Sequence, residues 1–167
     1  MRVLYFTKSA GYEHSVIKSV DGEPSHSERI LREIGASRDI EIIPSKDGSL
    51  FSPDYLAGFD VIVFYTSGDL LSVGEDGNPA MTPFGKQALL EAIHGGKGFI
   101  GFHSAGDTFH TGESGGGNPT DRSNRYRIHG DMSDPYIRML GGEFINHGKQ
   151  QDGRASVPDR SFPGCAD

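Results

Sequence analysis

The stretch DVIVFYTSGD, residues 60–69, decides the fold. Val61, Ile62, Val63, Phe64 and Tyr65 are all β-branched or aromatic, the types that suit a pleated, buried surface. They predict the strongest strand of the chain. Its tip, Thr66-Ser67-Gly68-Asp69, changes abruptly to hydroxyls and a carboxylate. Just upstream, SPDYLAGF (52–59) reads as a short helical turn, with Ser52 as cap and Pro53 at the first helical position. Before it, DIEIIPS (39–45) predicts a strand and SHSERILREIG (25–35) a helix. Ser25 and Glu28 make a capping box, Ile30, Leu31 and Ile34 share a face, and Gly35 ends the helix. Val3, Leu4, Tyr5 and Phe6 form a continuous apolar run, as in a strand buried on both faces.

Downstream, a glycine-rich loop leads to TPFGKQALLEAIHGGK (82–97), a helix capped by Thr82 and closed by Gly95-Gly96. Its buried face is Leu89, Leu90 and Ile93. GFIGFH (98–103) predicts a fourth strand. Residues 111–133 are polar and form a long excursion, the kind of loop that is usually functional or mobile. DPYIRMLGGEF (134–144) predicts a short helix and EFINH (143–147) a fifth strand. Strands alternating with helices imply an α/β domain with a parallel sheet. In such sheets the site lies beyond the carboxyl ends of the strands.

The chain of 167 residues has the length of one domain. Its net charge of −7, with no basic cluster, argues against general affinity for nucleic acid or anionic membrane. No apolar run is long enough to span a bilayer, and MRVLYFT reads as a strand rather than a signal peptide. The expectation is a cytoplasmic protein, with homo-oligomerisation open. The single cysteine, Cys165, has no internal disulfide partner and reads as a bystander in a Pro/Gly tail.

Three predicted strand tips carry a histidine: His14 after the first, His103 on the fourth, His147 on the fifth. On a parallel sheet these converge on one rim, beside Thr66 and Asp69. Neutral imidazole near pH 7 serves as general base, general acid or metal ligand. Three converging histidines would also suit a divalent metal such as zinc. The structural alternatives are a solvated His14 and a His103 bonded to neighbouring backbone. His26 and His94 read as surface residues, and His110 and His129 as part of the polar excursion. Tyr12, Phe109 and Tyr126 are candidates to stack on a sugar ring or to anchor packing.

GFHSA (101–105) invites comparison with the nucleophile elbow, G-x-S-x-G or G-x-C-x-G. His103 holds the nucleophile's place, Ala105 replaces the last glycine, and Ser104 falls one residue late. Acyl transfer through a serine or cysteine elbow is therefore unsupported. GESGGGN (112–118) lacks the G-K-[ST] of a phosphate loop.

VLYFTKSAGYEHSVI, VIVFYTSGDLL, GKGFIGFHSAGDTF and DPYIRMLGGEFINHG, in that order, resemble the ThuA-like (trehalose utilisation) family. The resemblance covers residues 1–148 as an α/β domain and leaves 149–167 as an irregular tail. It implies a flavodoxin-like sandwich of the class I glutamine amidotransferase type, with a mainly parallel central sheet. Without a cysteine at the elbow, glutamine amidotransferase activity is not expected. Carrying the family's motifs over places His14, His103, Ser104, Asp107 and His147 around the pocket. The family typically continues further, with another strand and a histidine-bearing glycine segment, so a C-terminally truncated domain is one expectation.

The resemblance implies a small-molecule carbohydrate substrate, of trehalose type or a 3-keto disaccharide. The expected catalytic residues are His103, His14 and Asp107, with Asp107 orienting an imidazole. Ser104, Thr66, Asp69, His147 and Tyr12 are the expected substrate-binding residues. A hydrolase, lyase or isomerase each fits this set. The alternatives are a non-catalytic sugar-binding or regulatory module, and an inactive fragment of a larger enzyme.

Overall fold

In the computed structural model, residues 1–74, 76–109, 133–142 and 144 are described. Among these residues, four strands form one sheet in the order β2-β1-β3-β4: β1 (Arg2–Phe6), β2 (Glu41–Ser45), β3 (Val61–Phe64) and β4 (Gly98–Gly101). Every pairing is parallel, with Leu4 opposite both Ile43 and Ile62, and Phe64 opposite Gly101. The helices α1 (His26–Ala36), α2 (Pro53–Ala57), α3 (Pro83–His94) and α4 (Pro135–Leu140) complete a flavodoxin-like α/β arrangement. Among the described residues, no helix is long and apolar enough to cross a membrane.

Strand alternation sorts the core into two layers. Leu4, Phe6, Ile62 and Phe64 face Phe51, Leu56, Met81, Leu89 and Tyr136 in the larger cluster. Val3, Tyr5 and Val63 face the other way, toward Leu31, Ile40 and Ile42. The expected caps are formed: Ser25, Ser52 and Thr82 accept from the N–H of Glu28, Tyr55 and Gly85 at 3.3, 3.2 and 2.9 Å. On α1, Leu31 packs on the sheet while Ile30 and Ile34 are exposed. The contact face runs through Ser27, Leu31 and Gly35 instead. Tyr5 Oη donates to Ser27 Oγ at 2.8 Å, and a Cβ on Gly35 would stand 2.5 Å from the Ile40 carbonyl. The close approach at Gly35 therefore fixes the helix rotation.

The strand expected over 60–69 ends at Phe64 as a ladder element. Beyond it the chain makes only isolated bridges, Ser9 with Ser67 and Gly68 with Thr108. Likewise β4 stops at Gly101, because His103 turns into a 3₁₀ helix, His103–Asp107. The fifth strand, 143–147, lies outside the described residues except Phe144, whose N–H donates to the Gly106 carbonyl at 2.8 Å. The excursion 111–133, apart from Ser133, and the tail 149–167 also lie outside them.

Gly68 is where the post-β1 and post-β3 loops meet. It sits at φ +73°, and a Cβ there would stand 2.4 Å from the Gly11 nitrogen. Left-handed backbone costs a non-glycine residue about 1–2 kcal/mol, and overpacking typically adds about 1–3 kcal/mol. Gly68→Ala is therefore expected to destabilise the fold by at least about 2 kcal/mol, read by urea denaturation. An unchanged midpoint would mean that the two loops separate freely.

Candidate functional site

The carboxyl ends of β1, β3 and β4 present the site. Phe102 N–H donates to the Phe64 carbonyl at 2.7 Å, carrying the strand pairing one residue past β4. The backbone then reverses at His103, which takes φ +44°. The turn is held from several sides. Ala105 N–H donates to Phe102 O at 2.8 Å, and Gly68 N–H to Asp107 O at 2.7 Å. From α4, the buried Tyr136 hydroxyl donates to Ala105 O at 3.0 Å. Gly101 lets the turn close, since a Cβ there would stand 3.1 Å from the Ala105 methyl. This is an elbow, with an exposed histidine at its apex.

His14 arrives on a strap that follows β1. Ala10 and Gly11 both donate to the Ser67 carbonyl, at 2.8 and 3.1 Å, and Ser67 Oγ donates to Tyr12 O at 2.7 Å. Lys46 Nζ donates to Glu13 and to the Thr7 carbonyl, at 3.0 and 2.9 Å. The result places the His14 and His103 rings 4.6 Å apart, edge to face. Tyr65, just beyond β3, lies 5.8 Å from the first ring and 5.7 Å from the second. Tyr12 packs edge-on to His14 at 5.0 Å, and Phe102 stacks on Tyr65 at 6.4 Å. Tyr12 and Phe102 are both exposed, so the two imidazoles sit on an open aromatic ledge.

Partial burial of His14 holds its imidazole below the ordinary value of 6.5, and the neighbouring His103 adds to this while the Asp107 carboxylate opposes it. Both lowering causes disfavour imidazolium. A group whose folded pKa is depressed contributes stability above its unfolded pKa, and that contribution is lost as pH falls. NMR titration of His14 is expected to show a midpoint below 6.5, with stability declining as pH falls from 6.5 toward that midpoint. His103→Gly is expected to move the midpoint upward. A midpoint indifferent to that change would show that the rings do not sense each other.

The other expected residues are distributed unevenly. Ser104 is buried behind the elbow, and among the described residues its Oγ has no hydrogen-bond partner. Thr66 is fully buried, its hydroxyl 2.7 Å from that of Thr108. The Asp69 carboxylate accepts from Leu71 N–H at 3.0 Å and shapes its own turn. Phe109 is buried against Tyr136 under the Lys86 ammonium, not open for stacking. His147, Tyr126, His110, His129 and Cys165 lie outside the described residues. A zinc site takes three or four protein ligands. Among the described residues, no group of three His, Cys, Asp or Glu side chains is placed to hold a metal ion.

Two features escaped the sequence reading. Tyr65 reads from the sequence only as strand, although its place at a carboxyl end and its same-side parity with Val63 put it at the rim. Lys8 follows β1 and is fully buried. Its ammonium donates to the Val73 carbonyl, Asp76 Oδ1 and the Asn78 carbonyl, at 2.6, 3.2 and 2.7 Å. Lysine is almost never fully buried without a partner, but nothing local in the sequence marks Asp76 as that partner.

No curated protein and no solved structure matches this chain. One family model does, described as trehalose utilisation, and it spans residues 2–167. That match extends beyond the motif-bearing residues 1–148 through the tail. With the match running essentially end to end, and the parallel sheet and its elbow in place, the chain belongs to the ThuA family.

Proposed function

We propose that this protein is a carbohydrate-active enzyme that moves protons on trehalose-type or 3-keto disaccharides with His103 and His14. Membership of a family described as trehalose utilisation supports the substrate class. The observation that carries the chemistry is the pair of imidazoles 4.6 Å apart on the sheet rim, one of them at a strained elbow. Strained backbone persists where the surrounding structure over-determines it, and it clusters at functional sites.

On a 3-keto sugar the acidic proton is on the carbon beside the carbonyl. His103, exposed at the apex, takes that proton on a neutral ring nitrogen. The C–H electron pair becomes the new carbon–carbon π bond, and the carbonyl π pair moves onto oxygen. His14 is kept neutral at pH 7 by its surroundings and serves as the complementary proton carrier. Asp107 supplies the negative charge that stabilises imidazolium once it forms. Tyr12 offers an exposed ring for the apolar face of a sugar.

The test is proton exchange. Incubated with 3-keto-trehalose in D2O, the protein is expected to place deuterium on the carbon beside the carbonyl, followed by NMR. His103→Ala is expected to slow this by about 10²–10⁴-fold. Equal exchange by the variant would end the proposal. Saturable sugar binding with no exchange and no product would select the non-catalytic binding module.

A further inference from the structure

We propose that Tyr65 contacts the substrate and donates a hydrogen bond from its phenol to the carbonyl oxygen that turns anionic during proton abstraction. This deepens the acid–base reading and rests on it.

The chain holds several tyrosines in partly or fully buried settings, and they differ in one respect. Tyr5 Oη donates to Ser27 Oγ at 2.8 Å, and Tyr136 Oη donates to the Ala105 carbonyl at 3.0 Å. The Tyr65 hydroxyl, by contrast, has no hydrogen-bond partner among the described residues. Tyr65 is only half-buried, which leaves that donor open to a substrate group. That open donor belongs to the ring that touches both imidazoles.

Its backbone is anchored, because Tyr65 N–H donates to the Phe6 carbonyl at 3.0 Å. Its ring is held by three others, His14, His103 and Phe102. A donor fixed in advance beside the base is what stabilisation of a developing oxyanion needs, since no reorganisation is required during the reaction. Burial raises the phenol above its ordinary value of 10.0, so it keeps its proton across the working pH range. The step leaves that proton on Tyr65. His103 receives the substrate's carbon-bound proton, the negative charge resides on the substrate oxygen, and both revert when the proton returns.

Tyr65→Phe separates the hydroxyl from the ring. With 3-keto-trehalose as probe, the variant is expected to lose about 10²–10³-fold in the rate of deuterium exchange, the range seen when one oxyanion donor is removed. The loss should lie in kcat rather than KM. Melting temperature and the NMR titration midpoint of His14 should stay at wild-type values, because the ring contacts survive. Wild-type exchange with an equally fast Tyr65→Phe would overturn this role and leave the histidine chemistry standing. A wild-type protein that exchanges no proton would overturn both.

Discussion

His103→Gly is expected to lose about 10²–10⁴-fold in turnover, as removal of a positioned acid–base group does, and yet to be more stable than His103→Ala. The two variants share the loss of the imidazole and of its contacts with His14 and Tyr65. They differ in one Cβ at a position with φ +44°. Left-handed backbone costs an alanine about 1–2 kcal/mol, whereas glycine's extra freedom in the unfolded chain costs about 0.5–1 kcal/mol. The balance favours glycine by up to about 1.5 kcal/mol, from the difference of those ranges. For a chain of this size each kcal/mol moves the melting temperature by about 2–4 °C. A calorimetric scan of both variants reads the difference directly. If alanine melts higher than glycine, the elbow is unstrained and the geometric argument for His103 as the site's centre fails. If the order holds and turnover survives, the strain is real but serves packing alone.

The legible parts of this molecule are those that depend on local pattern. Apolar runs marked β1 and β3, and Ser52-Pro53 and Thr82-Pro83 marked two helix starts, because caps and strand cores are written within a few residues. His103 was legible for the same reason: it follows β4 at the place of an elbow nucleophile. Strand ends were less legible. Nothing within residues 65–69 marks the end; only their partners, the Ser9 and Thr108 loops, determine that the ladder has stopped. Side-chain fate at the rim was less legible still. Thr66 and Asp69 look like ligand-binding groups in a list of polar residues, but Thr108 and the Leu71 N–H already engage them. Those partnerships arise from tertiary contact across loops, as does the exposure of Ile30 and Ile34, which Gly35 rotates away from the sheet. Tyr65 was hidden by its own propensity, since an aromatic at a strand end is equally a core residue and a site residue until its neighbours are known.

Lys8→Met is expected to cost about 3–5 kcal/mol, because it breaks a buried pair and leaves the other charge behind. Lys8 and Asp76 side chains are 0% and 2% exposed, and they are 3.2 Å apart. Methionine fills similar space but offers no proton. Among the described residues, Asp76 would retain only the N–H groups of Ser9 and Asn78, at 2.6 and 2.9 Å, and the carbonyls of Val73 and Asn78 would each lose a bond. Against a typical total stability of about 5–15 kcal/mol, this is a large fraction. Thermal melting should fall by about 6–20 °C. Adding Asp76→Asn should recover part of the loss, since it removes the unpaired charge and its amide oxygen can still accept from one of the two N–H groups, which Asp76 meets through different oxygens. The coupling between the two changes should be about 0.5–3 kcal/mol, measured by a double-mutant cycle. The consequence reaches the chemistry through Ser9, whose N–H is tied to Asp76 at the start of the strap that delivers His14. In any variant that still folds, the His14 titration midpoint should therefore shift toward its ordinary value as the ring loses its cover. A Lys8→Met protein that melts with the wild type would show that the 73–78 segment is held by other contacts. In that case the strap owes its position to Ser67 and Lys46, and Ser67→Ala would be the change that frees His14.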